Sequence, residues 1–242
     1  MTTISKPKAI VMDIEGTTTD IHFVSQKLFP TLRKNMKQFL SDTFDTKETK
    51  ELIQMLREEK RKAIPAVDNS GDKQKVVNSA ESNILWQMNN KLKTTSLKTA
   101  ELLCWVWVYK SAVIKAHVYK DVSNAFYEWK SKNGIKLYVY SSGIISAQKL
   151  LFANTEMGNL HHLIDDYFDS TIGDKKDSKS YKNIASKIGV DVGKIIYITD
   201  SSSEATGAQT AGMKVMLIRR GKSVSNSTGI PTIKSFADIK FN

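Results

Sequence analysis

Asp13 and Glu15 close the apolar run Ala9-Ile-Val-Met12 and are followed at once by Gly16 and three threonines. Residues two apart in an extended chain share a face, so both carboxylates would look the same way. At the carboxyl end of a strand in an open α/β sheet, that face looks into the crevice where ligands bind. Three further strand ends carry polar groups. Lys136-Leu-Tyr-Val-Tyr140 ends in Ser141-Ser142-Gly143, hydroxyls and backbone N–H groups at a helix entrance, where an anion is favoured. Lys175 stands after "YFDSTIGD" and just before another helix, and "KIIYITD" ends in a third acid, Asp200, followed by Ser201-Ser-Ser-Glu204. Taken singly, each has an ordinary reading: incidental acids at a junction, Ser141 as an N-cap, a solvated lysine, and Asp200 as an N-cap acid with Glu204 completing a capping box. Taken together, they put Asp-x-Glu, Ser, Lys and Asp on one sheet edge.

The chain must alternate strands and helices to gather these segments. From Val122 onward it does: the patterning predicts helix 122–133, strand 135–140, helix 145–154, a strand near 167–170, helix 178–188, strand 195–199, helix 204–211 and strand 214–218. Such alternation implies a parallel sheet with helices on both faces. The strand 9–12 must join it, because alone it buries nothing. Residues 21–120 read instead as helices over 23–44, 49–64, 80–93 and 96–119, with a polar loop at 65–75. The last of these, which holds Cys104, is apolar enough to be interior. The expected fold is α/β: a Rossmann-like parallel-sheet core from residues 1–20 and 121–242, with an all-helical cap, 21–120, inserted after the first strand.

The formal charge of +11 attracts anions. The lysines are dispersed, however, and the densest group, Arg57-Glu-Glu-Lys-Arg-Lys62, is interleaved with glutamates and reads as a solvated helix face. A small phosphorylated metabolite is therefore the expected partner, and nucleic acid is not. No run approaches a membrane span, and "MTTISKPK" lacks the apolar segment of a secretory signal. A single cysteine excludes an internal disulfide and fits a reducing compartment. The cytoplasm is expected, with the nucleus as a second location, and the chain is expected to act as a monomer. His161 and His162 are adjacent while His22 and His117 are remote; none has metal-ligand spacing, and a surface role is expected for each.

The order Asp-x-Glu, Ser, Lys, Asp resembles the haloacid dehalogenase-like superfamily, mostly Mg2+-dependent phosphohydrolases with an aspartate nucleophile. "DIEGTTT", "FVSQKLFP", "YSSG", "AQKLLF", "YFDSTIGDK" and "TD…E…A…AG" narrow the resemblance to the enolase-phosphatases of methionine salvage, over most of residues 9–220. It implies one Mg2+ per chain, held by the carboxylates of Asp13 and Asp200 and the backbone carbonyl of Glu15. It implies Asp13 as nucleophile, Glu15 as proton carrier, and Ser141, Ser142 and Lys175 as phosphoryl-binding residues. The implied reaction enolises 2,3-diketo-5-methylthiopentyl-1-phosphate and dephosphorylates it to the acireductone 1,2-dihydroxy-3-keto-5-methylthiopentene. Phe23, Trp105 and Trp107 are available in the cap for the methylthio tail. Two other readings stay open: a phosphatase of another small phosphorylated metabolite, and a catalytically silent basic binding protein on the same fold.

Overall fold

The computed structural model describes residues 2–59, 61, 63–221 and 229–242. Its strands are β1 (Thr2–Ile4), β2 (Ala9–Met12), β3 (Lys136–Tyr140), β4 (Asp166–Phe168), β5 (Ile195–Thr199), β6 (Lys214–Ile218), β7 (Thr232–Ile233) and β8 (Ile239–Phe241). The chain divides into two compact units, Ser25–Ile114 and Met1–Val24 with Lys115–Asn242. The first holds α1 (Phe29–Asp42), α2 (Lys47–Glu58), α3 (Lys73–Asn89) and α4 (Thr95–Lys110). The second holds all eight of these strands, with α5 (Lys120–Tyr127), α6 (Ile145–Ala153), α7 (Ser178–Ile188) and α8 (Ser202–Ala211).

Every residue of β2 and β5 is buried, the signature of strands covered on both faces. They belong to an all-parallel six-stranded sheet of order β4-β3-β2-β5-β6-β7. One face packs Ala9, Val11, Tyr138, Tyr140 and Tyr197 against Tyr181 and Ile184 of α7 and Ala205 and Ala208 of α8. The other face buries Ile10, Met12, Leu137, Val139, Ile196 and Ile198. The chain travels outward from β2 through β3 to β4, then returns to the opposite side of β2 as β5. Loops leaving the carboxyl ends diverge where that direction reverses, and the divergence opens a crevice. Asp13 follows β2 and Asp200 follows β5, so the topology alone delivers both acids to it.

Several local expectations differ. The interior cap helix stops at Lys110 rather than running to 119: the Ser111 N–H closes onto Trp107 O at 2.8 Å, and Ala112 turns with φ 52°. Residues 115–119 run outside any helix, with Ala116 and Val118 buried, which keeps the segment apolar and makes it indistinguishable from helix by composition. Helix α2 takes in Arg57 and Glu58 and ends there, so the expected helix face does not continue through Glu59 and Arg61. Arg57 instead donates to Asp68 O from Nε at 3.2 Å and Nη2 at 2.7 Å, while Lys60 and Lys62 lie outside the described residues. The short strand β1 was not expected; it pairs in parallel with β8, apart from the main sheet. Phe23 falls in the α/β unit, its ring 6.4 Å from His117. Cys104 is fully buried. No helix among the described residues is long and apolar enough to cross a membrane.

Candidate active site

The strand ends at Met12, and the two acids sit on the tight loop that follows rather than on its pleat. Ile14 O accepts the N–H groups of Thr17, Thr18 and Thr19 at 3.2, 2.9 and 3.0 Å, while Gly16, at φ 75°, donates to Thr19 O at 2.9 Å. All three threonines are completely buried. Their hydroxyls satisfy the loop from within: Thr18 Oγ1 reaches the carbonyls of Asp13 and Ile14 at 3.2 Å, and Thr17 Oγ1 donates to Asp13 Oδ2 at 3.3 Å. Thr19 Oγ1 donates to His117 O at 2.5 Å. His117 Nδ1 accepts the Asp20 N–H at 3.0 Å, which assigns its proton to Nε2. His117 is thus half-buried and tied to the acid loop, not a surface residue. His161 also has a partner, the Tyr167 hydroxyl at 2.9 Å from Nδ1.

Lys175 reaches the same loop from after β4. Its Nζ makes an ion pair with Asp13 Oδ1 and a second, at 2.9 Å, with Glu204 Oε2. The loop is held for that purpose: Tyr181 Oη donates to Lys175 O at 2.5 Å, Ser180 Oγ to Asp174 O at 2.7 Å, and Tyr140 Oη to Gly173 O at 2.9 Å. Gly207 lets α8 approach so closely that an added Cβ would lie 2.7 Å from Lys176 O. Burial disfavours the ammonium, but the two carboxylates outweigh it and raise the Lys175 pKa, keeping it cationic. Asp13 is raised as well, because its own burial exceeds what Lys175 returns.

Asp200 completes the edge. Its N–H donates to Thr17 Oγ1 at 3.0 Å, and its carboxylate lies against Gly16. Glu15 and Asp200 are both raised, by burial first and then by neighbouring acids, Asp200 acting on Glu15 and Glu204 on Asp200. The Asp13 and Asp200 carboxylates with the Glu15 carbonyl are oxygen donors of the type a hard dication takes. No group of three or more His, Cys, Asp or Glu side chains forms a metal cluster among the described residues. The serines are less engaged. Ser141 donates its N–H to Phe168 O at 3.1 Å and accepts the Gly143 N–H at 3.5 Å, Ser142 is exposed, and neither bonds to Asp13 or Lys175.

Two carboxylates flanking a largely but not fully buried lysine at the switch point of a parallel sheet suit phosphoryl or acyl transfer through an aspartate. The sequence profile of the haloacid dehalogenase-like hydrolases matches residues 7–212. The chain belongs to that family. This hydrolase is 37% identical over 244 residues to the enolase-phosphatase E1 of Anopheles gambiae, covering 97% of the present chain and 82% of the mosquito protein. It therefore belongs to the enolase-phosphatase branch. It is also 41% identical over 241 residues to a probable bifunctional methylthioribulose-1-phosphate dehydratase/enolase-phosphatase E1 of Arabidopsis thaliana; that match takes in 95% of this chain but 47% of the plant protein. The crystal structure of the UTR4 protein of Saccharomyces cerevisiae superposes with TM-score 0.79 at 25% identity, covering 96% of this chain and all of the yeast one.

Three residues of the hydrolase's site escaped the sequence reading. The capping-box pattern predicts that Glu204 caps the start of α8. Ser201 does accept the Glu204 N–H at 3.4 Å, but the Glu204 side chain turns inward to Tyr197 Oη at 2.7 Å, Thr199 Oγ1 at 3.0 Å and Lys175. A glutamate at the third helical position fits both roles, and only the burial of its partners separates them. Thr17 looked like turn composition. Arg220 lies at the end of β6, where no acid or hydroxyl marks the sequence.

Proposed function

We propose that the chain is a Mg2+-dependent enolase-phosphatase acting on 2,3-diketo-5-methylthiopentyl-1-phosphate. The observation that carries this reading is the clasp of Lys175 between Asp13 and Glu204, beside Glu15 and Asp200 on one sheet edge. Asp13 and Asp200, with the Glu15 carbonyl, fit a magnesium ion, which keeps several waters and takes one or two carboxylates together with a substrate phosphate. The raised pKa values of Asp13, Glu15 and Asp200 support that fit: desolvation comes first in each, and a neighbouring acid, Glu204 for Asp13 and Asp200 and Asp200 for Glu15, adds to it. When bound, Mg2+ offsets the repulsion between the nucleophile and the phosphate dianion.

Asp13 Oδ attacks phosphorus and the bond to the leaving oxygen breaks, giving an aspartyl phosphate that water then hydrolyses. Glu15 delivers a proton to the leaving oxygen and takes one from the attacking water. Lys175 and the Ser141 hydroxyl hold phosphoryl oxygens as charge redistributes, with Ser142 beside them at the helix entrance. Before this, Glu15 takes the proton from the carbon beside the phosphoester and returns it to the adjacent carbonyl oxygen, so that the C–H bond breaks, the carbon–carbon double bond forms and the diketone becomes its enol. Incubating the protein with the diketo phosphate and Mg2+ tests the reading: enol absorbance should rise, free phosphate should follow, and Asp13→Asn should cut phosphate release by on the order of 10^4 while the fold persists. A metal-dependent phosphatase that ignores this substrate but cleaves another small phosphate ester would move the assignment to that metabolite.

A further inference from the structure

We propose that Arg220 is a positioning residue that sets the spacing of the Asp13 and Asp200 carboxylates, and hence the affinity for the divalent cation, by holding the backbone of Thr17. The proposal rests on the Mg2+-dependent reading above.

Thr17 joins the two acid loops: its hydroxyl donates to Asp13 Oδ2 at 3.3 Å and accepts the Asp200 N–H at 3.0 Å. Its carbonyl takes both Nε and Nη2 of Arg220, at 3.2 and 2.9 Å. The remaining fork, Nη1, donates to Asp121 Oδ2 at 2.7 Å. The guanidinium carbon lies 4.1 Å from the Tyr119 ring centre and 5.3 Å from that of Phe236. A planar fork can hold one carbonyl with two donors and a carboxylate with a third, between two rings; a lysine ammonium cannot. The clamp is anchored away from the sheet edge, because Asp121 Oδ2 also accepts the Phe236 N–H at 2.7 Å and Ser235 Oγ at 2.8 Å. The neighbouring Arg219 holds the second loop, donating to Asp200 O from Nη1 and to Ser202 Oγ from Nη2 at 2.8 Å.

One side of these loops is open. Gly16 and Asp200 border a cavity of about 310 Å3, shared with Asp20, Tyr119 and both arginines. On that side Gly16 and Asp200 have room to shift once the Arg220 bonds to Thr17 are gone. Two oxygen donors misplaced by a fraction of an ångström bind a small dication poorly, because Mg2+ demands near-ideal geometry.

The test is a titration of wild-type protein, Arg220→Gln, Arg220→Lys and Asp121→Asn with Mn2+, followed by the loss of the free-ion electron paramagnetic resonance signal. Thermal melts and the Mg2+ dependence of p-nitrophenyl phosphate hydrolysis accompany it. Loss of an outer-shell partner typically costs 10–100-fold in metal affinity, so the Mn2+ Kd of Arg220→Gln should rise about 10–100-fold, with a parallel rise in half-saturating Mg2+. Arg220→Lys, which keeps the charge against Asp121, should fall between it and the wild type. If Arg220→Gln melts below the assay temperature, Asp121→Asn decides by the same readings. Variants that melt lower yet bind Mn2+ like the wild type would show that the clamp only holds the 235–236 segment, and would overturn the proposal. A wild-type protein that binds no Mn2+ would overturn the metal-dependent reading itself.

Discussion

The Asp200 carboxylate occupies the space that a side chain on Gly16 would need: a Cβ there would stand 2.7 Å from Asp200 Cγ. Residue 16 also adopts φ 75°, where a non-glycine residue is strained by about 1–2 kcal/mol. Gly16→Ala should therefore lower the denaturation midpoint and displace Asp200. Mg2+-dependent phosphate release should fall further than stability explains, because the displaced group is a proposed metal ligand. Normal activity in a protein that melts only slightly lower would show that the two loops are less rigidly apposed than this contact implies.

Glu15 differs from aspartate by one methylene, a reach of roughly 1.5 Å, comparable to a Cα–C bond. A general base must come within about 2.6–3.2 Å of the atom whose proton it moves, and the carbon acid and the ester oxygen present their protons at different places. Glu15→Asp should impair enol formation more than hydrolysis of a simple phosphate ester, whereas Glu15→Gln should impair both. Separate recordings of enol absorbance and phosphate decide the matter, and equal losses in Glu15→Asp would show that the extra reach of Glu15 does not serve two separate proton positions.

Lys175 and Lys176 are adjacent, but only the first turns inward; Lys176 is exposed and its N–H closes a turn onto Asp174 Oδ1 at 2.7 Å. Lys175→Met should reduce kcat/KM for phosphate esters by about 10^2–10^3, the usual cost of one donor to a transition-state oxyanion. Lys176→Met should leave it unchanged. Steady-state kinetics on the pair would expose a misassigned lysine directly.

Burial pushes the Asp121 pKa up, but Arg220 and the Ser235 and Phe236 donors outweigh it and hold the carboxyl below its ordinary 3.8. A depressed folded-state pKa stabilises the fold above the unfolded value, and that contribution disappears as pH falls through the folded value. Asp121→Asn should thus cost about 1.5–3 kcal/mol near pH 7, typical for hydrogen bonds to a charged group. The gap to wild type should begin to shrink below pH 3.8 and close as pH falls past the lower folded value. Urea denaturation of both proteins at pH 7 and pH 3 measures it, and a gap of the same size at both would rule out this origin.

The sequence alone determined the strand–helix alternation from Val122 onward, because buried parallel strands must be continuously apolar and helices between them must repeat every three to four residues. Helix 178–188 and strands 195–199 and 214–218 appear at the expected residues. It likewise set Asp13, Glu15 and Asp200 just beyond apolar runs, where a strand leaves the core, and Lys175 just before the next helix. What it left undecided depends on contacts between residues far apart in the chain. Glu204 faces Lys175 instead of its own helix start because Tyr197 and Thr199 on β5 pull it inward, and no local pattern encodes that choice. The stop of α4 at Lys110 was hidden because a buried non-helical segment and a buried helix have the same composition. Nothing local marks Arg220, because its partners, Thr17 and Asp121, lie 203 and 99 residues away in the sequence. Tertiary structure decides which polar groups meet, since a hydrogen bond is fixed by angle and by separations within about 3.2 Å, while periodicity fixes only which face a residue takes.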